Sequence, residues 1–226
     1  MTPESKVLRH IDETIGRDPA GWTRWPGGWP GDVETALVDA IFSARAVYRT
    51  RNGAGVHAQV VGWRSARRRQ SSTTTAIAKE ISSATPAKWA ASFGNSQHSP
   101  GRPGSAPGGP TKAAAVLEAA RALEAEGVIT ADDITDHNAA QVKGCLRCVA
   151  GVGYATTNYF LILLGRPGVK PDRMVHRFLT NATGTDWSNS AAENLVNAVA
   201  EALDVPAASL DHAIWSYESA RSRTAD

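Results

Sequence analysis

The sequence predicts an all-α protein, and three observations support that prediction. Apolar residues recur at helical spacing along much of the chain. No segment alternates apolar and polar residues over the length of a strand, so a large sheet is not expected. The 226 residues are 42% hydrophobic and 20% charged, which supplies enough apolar side chain for a core and excludes a globally disordered chain.

Seven helices are predicted from this spacing. The first follows Asp32, a residue type favoured at the N-cap, and the second ends before Gly127, a residue type favoured just past a helix. The third and fourth are joined by a tight Gly-Val-Gly turn. In chain order the seven helices cover residues 33–48, 112–126, 142–150, 154–164, 173–181, 191–203 and 208–220.

Two segments are predicted to be loops. Residues 94–110 contain five glycines and four prolines, a composition typical of a flexible or extended connection, either a domain crossover or a mobile loop at a site. Residues 21–31 contain Trp22, Trp25 and Trp29. These rings could stack on nucleic-acid bases, but we favour the interpretation that they fold back over a helical core.

The net charge of +2 hides a segregation of charge along the chain. Residues 40–79 carry +8 and contain no acid, and residues 137–177 carry +5 with Asp172 as their one acid, which leaves −11 for the rest. A chain with this distribution can bind a polyanion on one face although it is nearly neutral overall. For residues 40–79 alone, a solvated basic surface explains the charge equally well.

The sequence predicts a cytoplasmic protein. Its first residues carry charges and lack the apolar run of a signal peptide, and its longest apolar run, residues 159–164, is too short to span a bilayer. The two cysteines, Cys145 and Cys148, fit a reducing compartment. A zinc ribbon or an iron–sulfur cluster needs more ligands, so we expect buried or half-buried structural thiols.

The turn between the third and fourth predicted helices is the strongest local motif. Gly151 and Gly153 allow the backbone to turn sharply into a helix that starts near Tyr154. Successive N–H groups at such a helix end can bind a phosphate without a charged side chain. The G-x-G pattern alone is common in turns between helices.

A second motif follows the hairpin. Asp172 lies 19 residues after Gly153, behind Pro171, at the start of a predicted helix. Together the two motifs resemble those of the helix–hairpin–helix DNA glycosylases, the endonuclease III and adenine glycosylase superfamily, in which a G-V-G hairpin precedes a catalytic aspartate at a similar distance. The resemblance implies that Asp172 is catalytic. The residues that it assigns to DNA contact are Gly151, Val152, Gly153, Thr156 and Arg177.

A further stretch extends the resemblance to about residues 33–179. Residues 41–48, I-F-S-A-R-A-V-Y, lie where the family has a segment like L-S-A-Q-A-T-D, whose glutamine fills the gap left by a flipped base. Arg45 replaces that glutamine, and a guanidinium can fill and hydrogen-bond the same gap. The implied fold has two helical lobes: residues 1–78 with 167–226, and residues 79–166 with the helix–hairpin–helix motif at about 142–164.

Departures from the family pattern narrow the implied chemistry. Relatives that cleave the DNA backbone use a lysine two residues after the hairpin, where this chain has Ala155, so the resemblance implies a monofunctional glycosylase without AP-lyase activity. Lys143 or Lys170 could substitute for that lysine. The four-cysteine run of iron–sulfur relatives has no counterpart, so no cluster and no required cofactor or metal is expected, although a monovalent cation could bind at the hairpin.

Charge gives Asp172 its predicted role. Breaking an N-glycosidic bond builds an oxocarbenium-like cation at C1′, and a carboxylate about 4 Å away stabilises that cation by roughly 4 kcal/mol at a dielectric of about 20. This corresponds to about a thousandfold in rate. Asp172 could also orient or deprotonate the attacking water. The structural alternative is that Asp172 only caps its helix.

The predicted function is excision of a damaged or hypermodified base to leave an abasic site, in base-excision repair or in defence against phage with modified DNA. The alternative is a non-catalytic helix–hairpin–helix DNA-binding protein. The expected partner is double-stranded DNA with a flipped base, bound by a nucleoid-associated monomer away from membranes. The candidates for the base pocket, each with a core or surface role as its alternative, are Glu34, Tyr48, Tyr154, His57, Trp63 and Trp187.

Overall fold

Helices make up nearly all of the regular structure in the computed structural model, which describes residues 1–50, 52–67, 72–99 and 108–224. Within these ranges there is no β-strand, only an isolated antiparallel bridge between His98 and Thr111, and the predicted all-α class is confirmed. None of the helices in these ranges has the length and apolar character needed to cross a membrane. In chain order they are α1 (Pro3–Thr14), α2 (Val33–Ser43), α3 (Val56–Ala66), α4 (Thr74–Ala84), α5 (Pro86–Phe93), α6 (Lys112–Ala125), α7 (Ala139–Cys148), α8 (Tyr154–Leu163), α9 (Arg173–Thr183), α10 (Asn189–Ala202) and α11 (Ala207–Thr224).

The chain divides into two compact units. The terminal unit combines Met1–Gly27 with Arg166–Asp226, and the central unit is Gly28–Gly165. The predicted lobes assigned residues 28–78 to the terminal part, whereas the structure groups these residues with the central unit. The physical reason is α2, which packs against α3, α4, α6 and α8 and so ties this stretch to the middle of the chain.

The central unit is built around α2. All eleven residues of α2 are buried, including Glu34 and Asp39, as expected for a helix surrounded by others. Phe42 near its end contacts the ring of Phe93 with centroids 4.5 Å apart. Burial of α2 on every side explains why its two carboxylates need partners inside the unit.

The terminal unit packs α1 and α11 against α9 and α10. Phe178 of α9 is fully buried and contacts the rings of His10 and Tyr217. Of the tryptophans in residues 21–31, Trp22 packs on this core and Trp29 packs on the core of the central unit. The prediction that these rings fold back on helical cores is confirmed for both.

The predicted helices exist with shifted ends, and four helices were missed. The predicted helix 33–48 stops at Ser43, because Ala44 leaves the helical region. The missed helices are α1, α3, α4 and α5. α1 buries only Val7 and Ile11, a stripe too narrow to stand out in the sequence. Most of the glycine- and proline-rich segment 94–110 lies outside the described residues.

Candidate functional site

The hairpin between α7 and α8 is the predicted phosphate site. The N–H of Val152 donates to the carbonyl of Val149 at 3.2 Å, and Gly151 has φ +85°. Gly153 is the N-cap of α8 and provides no side-chain cap to the first turn of that helix. The positive end of the helix dipole and the first-turn N–H groups therefore meet the hairpin where a glycine leaves room for an anion.

The two hairpin glycines have different structural roles. A Cβ on Gly151 would lie 2.4 Å from the Cβ of Ser99, a buried side chain, so Gly151 is required both by its positive φ and by close packing. Gly153 is exposed, has φ −103°, and a Cβ there would meet no atom within 4 Å. One glycine fixes the hairpin to the fold, and the other keeps its outer side open.

Two of the residues assigned to DNA contact turn inward. The side chains of Val152 and Thr156 are buried, so Val152 can offer only its backbone to a ligand. Tyr154 is half-buried beneath the guanidinium of Arg147, which lies 5.5 Å from the ring centroid. Arg147 is exposed and adds a positive charge next to the hairpin, a role that the sequence motif did not indicate.

The contrast between the glycines gives a test of the hairpin. Gly153→Asp places a favoured N-cap residue on α8, so the free energy of unfolding should rise by a few tenths of a kcal/mol. The same carboxylate faces the phosphate position, so affinity for duplex DNA should fall about tenfold or more. Denaturant unfolding and fluorescence anisotropy measure the two effects. Gly153→Asn is the control, because asparagine caps the helix without adding charge. Equal DNA affinity of the two variants would contradict phosphate binding at the N-terminus of α8.

Arg45 lies in a strained and exposed turn. It has φ +49°, a left-handed conformation that a side chain with a Cβ rarely adopts, directly after the end of α2. A residue held this way costs about 1 kcal/mol or more and is often found at functional sites. The turn keeps the guanidinium at the surface, as its predicted role at DNA requires.

Lys112 holds this turn from inside the central unit. Only 1% of its surface is exposed, and its ammonium donates to the carbonyls of Phe42 and Ala44, both at 2.8 Å, and to Gln97 Oε1 at 2.9 Å. No carboxylate is among these partners, and burial lowers the pKa of Lys112 to about 8. These carbonyls carry the negative end of the α2 dipole, and their bonds to Lys112 fix the backbone directly before Arg45.

The first two base-pocket candidates are committed to internal contacts. Glu34 pairs with Arg67 and accepts a hydrogen bond from the N–H of Thr73 at 3.2 Å. The hydroxyl of Tyr48 donates at 2.9 Å to Asp39, and burial and that carboxylate raise the pKa of Tyr48. These contacts give Glu34 and Tyr48 the structural role that was their alternative.

Other pocket candidates also have packing contacts. Trp63 contacts the ring of Trp89 edge-on and donates from its indole N–H to Glu80 at 3.2 Å. His57 stacks near Trp29 with centroids 6.2 Å apart, and burial lowers its pKa. Trp187 packs on the core of the terminal unit.

Asp172 is the N-cap of α9 in the terminal unit. Its Oδ1 accepts hydrogen bonds from the N–H groups of Met174 at 2.8 Å and Val175 at 3.4 Å, so the capping alternative is real. Its Oδ2 accepts no hydrogen bond from the part of the chain that the structure describes. One oxygen of a half-buried carboxylate fixes the group on the helix, and the other can face a cation or a water.

Asp211 on α11 is a second carboxyl near Asp172 that sequence reasoning missed. Its Oδ1 accepts the backbone N–H of Lys170 at 3.2 Å. Burial and the negative charge of Asp172 raise the pKa of Asp211 well above its usual value. Asp211 therefore retains a proton more readily than an exposed carboxyl does.

Arg177 serves the fold of the terminal unit. Its guanidinium pairs with Glu218, which is fully buried, and donates to Ser222 Oγ at 2.9 Å. A buried carboxylate needs such a partner, because leaving it unpaired would cost several kcal/mol. The arginine expected at DNA therefore has a structural function that explains its place without DNA.

The cysteine prediction was half wrong. Cys145 is half-buried, but Cys148 is exposed, because it lies two residues after the buried Leu146 and so on the opposite side of α7. Lys143 and Lys170, the possible substitutes for the missing lysine, are both half-buried, as is Ala155.

The model of one protein family, described as a domain of unknown function, DUF8548, matches residues 6–219. The chain belongs to this family. No curated protein and no solved structure matches it significantly. In this DUF8548 protein, the matched region contains the hairpin, Lys112 and Asp172.

Proposed function

We propose that this DUF8548 protein is a monofunctional DNA glycosylase of the helix–hairpin–helix type, with a fold of two helical lobes. The observation that carries the proposal is the divided role of Asp172: Oδ1 is fixed by two backbone N–H groups while Oδ2 is open among the described residues. A plain N-cap needs only the first of these. Asp172 is half-buried, so less water screens its carboxylate than would screen a fully exposed one.

DNA binding in this proposal rests on the central unit. The first turn of α8 binds a backbone phosphate through N–H groups, and exposed Arg147 and Arg45 add charge. Arg45 also fills the gap left by the flipped base. These contacts involve phosphates and the space left by the flipped base, and none of them involves the edge of a base. Selectivity for a particular base must therefore come from other residues.

The reaction is hydrolysis of the N-glycosidic bond. The bond electrons leave with the base, which takes up a proton, and the cation at C1′ is stabilised by the carboxylate of Asp172. Water then adds to C1′ and gives a proton to Asp172 or to solvent, which leaves an abasic site. No amine at position 155 is available to form a Schiff base, so the DNA backbone stays intact.

The substrate is a damaged or hypermodified base, and the biological setting is base-excision repair or defence against phage with modified DNA, with the protein acting as a monomer at the nucleoid. The second candidate function is a non-catalytic DNA-binding protein. It is favoured by the capping bonds of Asp172, which give that carboxylate a structural purpose without catalysis.

A salt titration of DNA affinity tests the binding half of the proposal. Each neutralised phosphate contributes about −0.9 to the slope of log affinity against log salt, so a slope of about −3 is expected for the hairpin and two arginines. Fluorescence anisotropy with a labelled duplex measures it. A helical protein-interaction domain would give no salt-dependent DNA binding, and that result would end the proposal.

Strand cleavage tests the chemical class. Product DNA should break only after alkali, and borohydride should trap no covalent complex, because hydrolysis passes through no Schiff base. Cleavage without alkali would contradict a monofunctional enzyme, and replacement of Lys143 and Lys170 by alanine would then identify the amine.

A further inference from the structure

A cavity of about 380 Å³ lies within the terminal unit, and its lining contains none of the residues assigned to catalysis or DNA contact. One wall comes from the segment that follows α1, and the other comes from the turn before α11 and the first turn of that helix. Cavities of this size with aromatic walls and a few polar groups commonly bind small molecules. The lining includes Pro19, Trp22, Arg24, Trp25, Pro206 and Ser209.

Trp25 differs from the other tryptophans in its contacts. The indole N–H of Trp22, which lines the same cavity, donates to the carbonyl of Gly16 at 2.8 Å, and four other tryptophans also donate to protein acceptors. The indole N–H of Trp25 has no acceptor in the described part of the chain, and its half-buried ring joins neither hydrophobic core. The packing of the fold therefore does not explain why a tryptophan lies at this cavity.

Arg24 is the one charged residue among the described residues that line the cavity. Its side chain is exposed and forms no ion pair or hydrogen bond within the described ranges, and so it pairs with neither Asp18 nor Asp204, the acids closest to the lining in sequence. The carboxylate of Asp18 accepts the N–H of Ala20 at 2.9 Å, and both acids are exposed, so solvent and salt screen their charges. The guanidinium of Arg24 is therefore available to an anion.

The chemistry of these groups defines the ligand. An indole ring on the cavity wall offers a surface on which a planar ring can stack. The guanidinium and the unpartnered indole N–H only donate hydrogen bonds, so the ligand must supply the acceptors. A cationic ligand would find no carboxylate among the described lining residues. A planar ring linked to an anionic group meets these conditions, and a nucleotide has this chemistry.

We propose that this cavity binds a nucleotide, with the base against Trp25 and the phosphate at Arg24. A guanidinium binds phosphate oxygens through two parallel hydrogen bonds, and the hydroxyl of Ser209 is a further donor or acceptor on the opposite wall. The site does not depend on the proposed function, because it uses neither Asp172 nor the hairpin. A free nucleotide and an unpaired nucleotide of a single strand share the base and phosphate that the cavity recognises.

The test uses the fluorescent nucleotide 2-aminopurine deoxyriboside 5′-monophosphate, whose emission falls when its base stacks. Wild-type protein should quench it saturably with a Kd below about 1 mM. Trp25→Ala should weaken binding about tenfold, because stacking of one base on an aromatic side chain contributes that much, whereas Trp25→Phe keeps a ring and should restore most of the affinity.

Arg24→Gln tests the phosphate contact. It should weaken binding of the nucleotide about tenfold and leave binding of the nucleoside, which lacks the phosphate, unchanged. Arg17→Gln is the matched control, because Arg17 is an exposed arginine of the same unit that already pairs with Asp12. This control should bind both ligands as the wild type does. Circular dichroism of each variant checks that the fold is kept.

Competition against the fluorescent nucleotide distinguishes the two sources of the ligand. Displacement by a thymidine hexanucleotide without terminal phosphates at lower concentrations than thymidine 5′-monophosphate assigns the site to a single strand, and the reverse order assigns it to a free nucleotide. Three results would overturn the site: no saturable quenching below about 1 mM, equal affinity of wild type for nucleotide and nucleoside, or wild-type affinity of Arg24→Gln for the nucleotide. Binding of a proline-rich peptide in place of the nucleotide would overturn it as well, since such peptides also dock on aromatic grooves. Base excision is measured separately, so failure of this site leaves the proposed function standing.

Discussion

Replacing Asp172 with asparagine should reduce abasic-site formation about a thousandfold and leave DNA affinity unchanged. In the proposed reaction the carboxylate is the charge that stabilises the cation at C1′, so its removal should raise the barrier by roughly 4 kcal/mol at a dielectric of about 20. The amide oxygen of asparagine still accepts the N–H groups of Met174 and Val175, so the cap of α9 and the fold should persist. Single-turnover excision and anisotropy on the same preparations measure the two quantities.

Asp18→Asn is the control for that variant. Asp18 is another capping aspartate of the terminal unit, where its carboxylate accepts the N–H of Ala20 at 2.9 Å. The substitution should change neither excision nor binding. Full excision by Asp172→Asn would show that Asp172 is only a cap. The pure DNA-binding alternative instead gives no excision by wild-type protein.

Lys112→Met should lower the free energy of unfolding by about 3 kcal/mol at neutral pH. The variant leaves the carbonyls of Phe42 and Ala44 without their buried donor, and each unsatisfied group costs about 1–3 kcal/mol. The end of α2 should loosen with it, so DNA affinity should also fall. Lys88→Met, at an exposed position of α5, should change stability by at most about 0.5 kcal/mol.

The stability difference between wild type and Lys112→Met should grow with pH. Burial lowers the pKa of Lys112 from 10.5 to about 8, so between these values the unfolded chain binds a proton that the folded chain has released. The free energy of unfolding of the wild type therefore rises with pH over this window by about 3 kcal/mol relative to the variant, which lacks the titrating group. Urea unfolding at pH 7, 8, 9 and 10 measures the difference. A difference that shrinks as pH rises would contradict a buried ammonium at this position.

Local signals in the sequence predicted the helical class, most helices and the caps, because apolar spacing and Asp32, Gly127 and Asp172 act over a few residues. They failed where tertiary contacts decide. The predicted helix 33–48 ends early, and Lys112 binds the carbonyls of its last turn. A lysine in the first turn of a helix is unfavourable beside the positive end of the helix dipole. This unfavourable placement in α6 was the one signal in the sequence that Lys112 binds a different helix.

The candidate site shows the same division. The hairpin and the capping position of Asp172 could be predicted, since both are set by residues next to each other in sequence. The partner of Arg177 is 41 residues away in Glu218, and Asp211 approaches Asp172 from another helix. Neither pairing can be recognised from the spacing of neighbouring residues in the sequence. Sequence spacing can therefore propose a chemical group, but only the fold shows which groups are already occupied.

The most direct measurement of the central claim is base excision by the wild-type protein on a panel of duplexes. The panel carries alkylated, oxidised, deaminated and hypermodified bases, and abasic sites are detected by alkaline cleavage. We expect at least one modified base to be released, with strand breaks that appear only after alkali and are absent with Asp172→Asn. Binding of these duplexes without release of any base would contradict the glycosylase and leave a DNA-binding protein in its place.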